Sequence, residues 1–95
     1  MALIDEARVW LRVSGEYTDT EIQDMLDEAI ADMDRCGVRD ELLEDITPLV
    51  KGAMREYVKA HYGYDNDEAN RFKASYDLML ANLLNSDANE KAQGQ

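Results

Sequence analysis

A nucleophile needs a base within hydrogen-bond reach and a third group to orient that base. Cys36 and His61 are the only residues that could make such a pair, and no sequence feature marks the third group or a pocket. Cys36 falls on the apolar stripe of a helix, where a thiol behaves as a small hydrophobe. His61 falls in a last helical turn, where an imidazole favours the helix dipole or packs. Asp65-Asn66-Asp67-Glu68 offers carboxylates to calcium but lacks the glycine at the sixth and glutamate at the twelfth place of an EF-hand loop, so it reads as a helix cap. No glycine-rich phosphate loop, nucleophile elbow or zinc spacing occurs. No catalytic residue, metal ligand or cofactor is assigned, and an enzyme is not expected.

Charge spacing is the more informative chemistry. Asp24, Glu28 and Asp32 recur every four residues, and so do Lys51, Arg55 and Lys59 farther along. On helices each set makes one charged row lying largely away from the apolar face. One reading is two solvated faces, because exposed charges contribute little individually. The sharper reading is a subunit interface in which the acidic row of one copy meets the basic row of the next. Two different complementary patches make a heterologous contact, and such contacts close into rings.

The chain of 95 residues carries 21 acidic against 10 basic residues, a net charge of -11. That length supports one modest core and a single domain. The acidic excess disfavours tight binding to DNA or to anionic lipid, although like charge also keeps a duplex from sticking to a wall it slides past. A single cysteine excludes an intrachain disulfide and a thiolate metal cage, which fits a reducing cytoplasm. Neither a secretory signal nor an apolar stretch long enough for a bilayer is legible, so no membrane role is expected.

The elements that must carry these rows form an all-α bundle of four helices, since apolar residues recur at helical intervals and never in strict alternation. The first helix spans Ile4 to Val13 and brings Ile4, Ala7, Trp10 and Leu11 onto one side, while Asp5, Glu6, Arg8 and Arg12 point elsewhere. Thr18 and Glu21 have capping-box spacing and open the second helix, whose face is Ile22, Met25, Leu26, Ala29, Ile30, Met33 and Cys36, ended by Gly37. Residues 38 to 46 are a short polar connector with about one helical turn. Thr47-Pro48 starts the third helix, which runs to about Tyr62. Its wide apolar arc of Leu49, Val50, Ala53, Met54, Tyr57, Val58 and His61 predicts contact from two sides. Within it Gly52 is unfavourable by about 1 kcal/mol relative to alanine unless a neighbouring helix crosses close by. Gly63 stops this helix, Asp65 to Glu68 cap a fourth, and Ala69, Phe72, Tyr76, Met79, Leu80 and Leu83 form its face. Residues 1 to 84 are the expected helical domain and 85 to 95 a polar, flexible tail that is disordered in a free monomer.

The order of these features resembles the head-tail connector (adaptor) proteins of long-tailed bacteriophages. Ile4-Asp5-Glu6-Ala7-Arg8-Val9-Trp10-Leu11-Arg12-Val13 looks like that family's short opening helix ending in Leu-Arg-Val. Asp19 to Ala29 resembles its acidic start, Ile, paired apolar residues and small alanine. Thr47-Pro48-Leu49-Val50-Lys51-Gly52-Ala53 looks like its proline-started helix, Tyr57 to Tyr64 its closing aromatic stretch, and Tyr76 to Leu83 its final helix. The resemblance implies a structural virion protein made in the host cytoplasm, a homo-oligomeric ring with twelvefold symmetry set by the portal protein. It further implies that the tail or a stopper attaches to the ring, that DNA passes through as cargo, and that the polar C-terminal region orders against neighbouring components.

Three other readings compete. An acidic helical regulator, for instance a DNA mimic, would bind a basic partner with steep salt dependence. A helix-turn-helix DNA binder would use Lys51, Arg55 and Lys59, against the repulsion of the acidic remainder. An enzyme would need the site that the residues do not supply.

Overall fold

The computed structural model describes residues 2–62 and 68–86. Among these, five helices follow one another: α1 (Leu3–Leu11), α2 (Asp19–Cys36), α3 (Asp40–Glu44), α4 (Pro48–His61) and α5 (Ala69–Leu84), with no strand. The all-α expectation holds. The connector is itself helical, since α3 occupies five of its residues and buries Leu43 in the core.

Helix ends follow local chemistry in most places. α1 stops at Leu11, short of the expected Val13, where Arg12 adopts a left-handed backbone (φ 58°) and the Val13 N–H donates to the Arg8 carbonyl. Gly37 (φ 110°) closes α2 in the conformation that an L side chain resists, and the Val38 N–H returns to the Met33 carbonyl. At α4 the Thr47 hydroxyl accepts from the Val50 N–H at 3.4 Å, directly before Pro48.

The capping box expected from Thr18 and Glu21 does not form. The Thr18 hydroxyl is buried and has no hydrogen-bond partner, and its backbone has ψ 12°. A capping hydroxyl reaches the first-turn N–H groups from an extended backbone, such as Thr47 with ψ 163°. Gly63 and Asp65-Asn66-Asp67, expected to end one helix and cap the next, lie outside the described residues, as do residues 87–95 of the expected tail. Glu68 holds the cap position of α5 without a side-chain capping bond.

α4 is the hub. It makes its most extensive contact with α5 and also touches α2 and α1, as a wide apolar arc requires. Ile22, Leu26 and Met33 of α2 meet a core shared with Val50, Met54 and Val58 of α4, all essentially inaccessible to water. Two residues of the expected arc depart from it, since His61 is exposed and Leu49 stands 59 % exposed. Leu49 instead lines an open groove with Pro48 and Trp10.

Gly52 is where α5 comes close, because a Cβ there would lie 2.9 Å from the Met79 Cε. Alanine would gain about 1 kcal/mol of helix propensity and would displace only the flexible end of a methionine. Gly52→Ala is therefore expected to change stability by less than about 1 kcal/mol in urea unfolding. A β-branched Gly52→Val, which adds two methyl groups toward α5 and has a lower helix propensity than alanine, is expected to be less stable than Gly52→Ala.

Candidate functional site

The acidic row lies on α2 toward α4 and α5. Asp24 and Glu28 are exposed, whereas Asp32 is half-buried and already engaged. The Tyr76 hydroxyl donates to Asp32 Oδ2 at 2.6 Å, and Arg35 pairs with the same carboxylate. The Tyr76 bond, reinforced by Arg35, holds the Asp32 carboxyl below the usual range against the opposing effect of burial. Burial first, and then the Asp32 bond, push the Tyr76 phenol well above its ordinary value. Beside this pair the Tyr57 ring stacks on His61 at 4.2 Å and meets Tyr76 edge-on at 5.2 Å, and burial raises the Tyr57 phenol as well.

Cys36 and His61 line one cavity of about 360 Å³ between α2, α4 and α5. His61 Nδ1 lies 2.8 Å from the Tyr57 carbonyl oxygen. Two carboxylates share that cavity, Asp32 and Asp77, and Asp32 is taken by Tyr76 and Arg35.

The basic row lies elsewhere. Lys51 pairs with Glu6 of α1 at 3.1 Å, Arg55 with Glu56 at 3.5 Å, and the Lys59 ammonium sits 5.5 Å from the centre of the Phe72 ring of α5. Tyr57 and His61, next to the acidic row, lie roughly 140° around α4 from the middle of the basic row at 3.6 residues per turn. The chain thus carries its acidic and basic rows on different sides, divided by the hub helix. The pairs that hold Lys51 and Arg55 are partly open to water, so they exchange partners at little cost.

Two features escaped the sequence reading. Arg8 falls among the residues that point away from the apolar face of the first helix, yet its side chain is only 18 % exposed. It bonds both Asp19 oxygens, at 2.8 and 2.6 Å, and also Asp5. These bonds raise the Arg8 pKa and lower that of Asp19, and they fasten α1 to the start of α2. The second is Tyr17, 84 % exposed, standing beside Glu21, Asp24 and Glu28. Three-residue spacing could have paired Asp5 with Arg8, but no local signal pairs Arg8 with Asp19.

Among the described residues no group of three or more His, Cys, Asp or Glu side chains is placed to hold a metal ion, and no helix is long and apolar enough to cross a membrane. What remains are charged and apolar surfaces. A family model described as phage connector protein matches residues 3–90, from the first residue of α1 to beyond the end of α5. The chain belongs to the phage connector protein family. No curated protein and no solved structure matches it. The connector family is a structural one, so membership implies a place in the virion and contact with portal and tail proteins. All five helices of this connector fall inside the matched region.

Proposed function

We propose that this connector assembles as a ring beneath the portal and presents the surface on which the tail or a stopper docks, with DNA passing through the ring. The observation that carries this reading is the family match over residues 3–90. The separation of Asp24, Glu28 and Asp32 from Lys51, Arg55 and Lys59 across α4 supports it, because a ring subunit needs two unlike, complementary faces. Asp24, Glu28 and Arg55, the most exposed members, supply the strongest part of the contact, while Asp32 and Lys51 divide themselves between it and their own Tyr76 and Glu6. The net charge of -11 suits a passage for DNA that does not adhere.

Negative-stain microscopy of the full chain with a portal complex tests the assembly, and rings coaxial with the portal are expected. A protein that stays monomeric and ignores portals would sink the connector reading. Reversing Lys51, Arg55 and Lys59 to glutamate is expected to weaken assembly at least tenfold with helicity by circular dichroism unchanged. Adding Asp24→Lys and Glu28→Lys on the other subunit should restore it. Undiminished assembly of the reversed chain at physiological salt would discard the pairing of the two rows.

A further inference from the structure

Tyr17 is the most exposed large apolar side chain among the described residues, at 84 %. It follows a tight turn in which Gly15 has φ 88° and the Tyr17 ring lies close against that glycine. Its surroundings are acidic, with Glu21, Asp24 and Glu28 lining the same surface hollow. An aromatic ring held clear of the fold and ringed by carboxylates has the make-up of an interface anchor, since tyrosines with polar rims dominate contact energies.

The matching surface is on the opposite side of the same chain. Trp10 of α1, Pro48 and Leu49 of α4 and Met79 of α5 line a groove of about 400 Å³, with Arg55 and the Lys51–Glu6 pair along it. Leu49 is 59 % exposed there. The groove is apolar where a ring would seat and offers the exposed Arg55, with Lys51 exchangeable from its half-exposed pair with Glu6, where carboxylates would follow. Arg55, 46 % exposed, can lie over an aromatic face as well as pair with an acid.

We propose that Tyr17 of one copy inserts into the groove between α1, α4 and α5 of the next, with Asp24 and Glu28 meeting Arg55 and Lys51. The inference rests on the ring reading above and adds the aromatic key that fixes its register. Ring and groove lie on different sides of α4, so one chain cannot satisfy itself and each copy offers one of each. Repetition of that contact is head-to-tail and closes where the rotation allows. The groove is incomplete without the neighbour's ring, which explains why Leu49 is left uncovered at the start of the hub helix.

Cross-linking between full-length chains tests this. In a Cys36→Ala background, one chain carries Thr20→Cys, an exposed position in the same hollow that leaves the Tyr17 ring in place, and the other Leu49→Cys, and the two are mixed with a short bismaleimide. Heterodimer formation is expected at least tenfold faster than with Leu78→Cys, a control leucine that is also exposed (64 %). Asp24→Asn and Glu28→Asn on the Thr20→Cys chain should slow it several-fold. Equal rates for the Leu49→Cys and Leu78→Cys chains would overturn the proposal. Because the cysteines stand at exposed positions, folding is not at stake, and Tyr17→Ala in the otherwise native chain should reduce association at least tenfold with unchanged helicity; unreduced association would likewise overturn it. Rings on a portal without this cross-link would reject the Tyr17 contact and leave the connector reading standing. The cross-link without rings would do the reverse.

Discussion

Leu26→Ala is expected to destabilise the chain by about 2 to 5 kcal/mol, read as a lower midpoint in urea or thermal unfolding. Leu26 is 1 % exposed at the centre of α2, in the core that α2 shares with α4. Its truncation removes apolar burial and leaves a cavity that rigid helices close only in part. A domain of this size is stable by only about 5 to 10 kcal/mol, so the change takes a large share of the total. The polar-face substitution Asp27→Ala on the same helix, at an exposed position, should shift the midpoint little. That contrast separates core packing from helix propensity.

The second large effect is expected from Tyr76→Phe, which keeps the ring and removes only the hydroxyl that donates to Asp32. A hydrogen bond to a charged group contributes about 1.5 to 3 kcal/mol. Arg35 remains beside the carboxylate, and the Asp32 side chain is 24 % exposed, which places the loss near 1 to 2 kcal/mol. The pH dependence carries a sign that can be checked. Asp32 has a lowered carboxyl pKa in the folded chain, so its contribution is present above the ordinary carboxylate value near ~3.9 and is lost as pH falls through the folded one. Tyr76 has a raised phenol, so above about pH 10 the unfolded chain gives up a proton that the folded chain retains, and stability falls as pH rises. Thermal melts should show the Phe variant with shallower slopes at both extremes. Part of the alkaline slope should persist through Tyr57, whose phenol is also raised. Identical slopes in both proteins would refute the role given to this pair.

Much of the architecture was legible because it rests on local rules. Thr47-Pro48 opens α4 and Gly37 closes α2 where backbone chemistry alone requires it, and the face of Ile22, Met25, Leu26, Ala29 and Met33 follows helical spacing onto the core. Gly52 was legible as a question, and Met79 of another helix answers it. The failures share one cause. Thr18 and Glu21 have the residues of a capping box, but the turn entering α2 sets a ψ that sends the hydroxyl elsewhere. Arg8 and Asp32 read as surface charges because sequence spacing shows only their own helices, while their partners Asp19 and Tyr76 come from other elements. The two rows themselves were readable. Their placement on opposite sides of α4, and the aromatic key and apolar groove beside them, depend on how three helices meet.

The way α1 is attached has a consequence in time. α4 and α5 are neighbours along the chain and form the largest helix contact, so their pairing needs little loop closure and comes early. α1 gives the core one fully buried side chain, Ala7, with Leu3, Ile4, Trp10 and Leu11 half-buried against it, and is tied by Arg8 to α2 and by Glu6 to α4. A short helix held this way docks last and opens first. Trp10 rides on it, so the wall of the groove is raised only when the whole chain has folded. If neighbours dock through this groove as proposed, a subunit whose α1 has not docked lacks the wall that receives them, and the order of folding would then gate assembly.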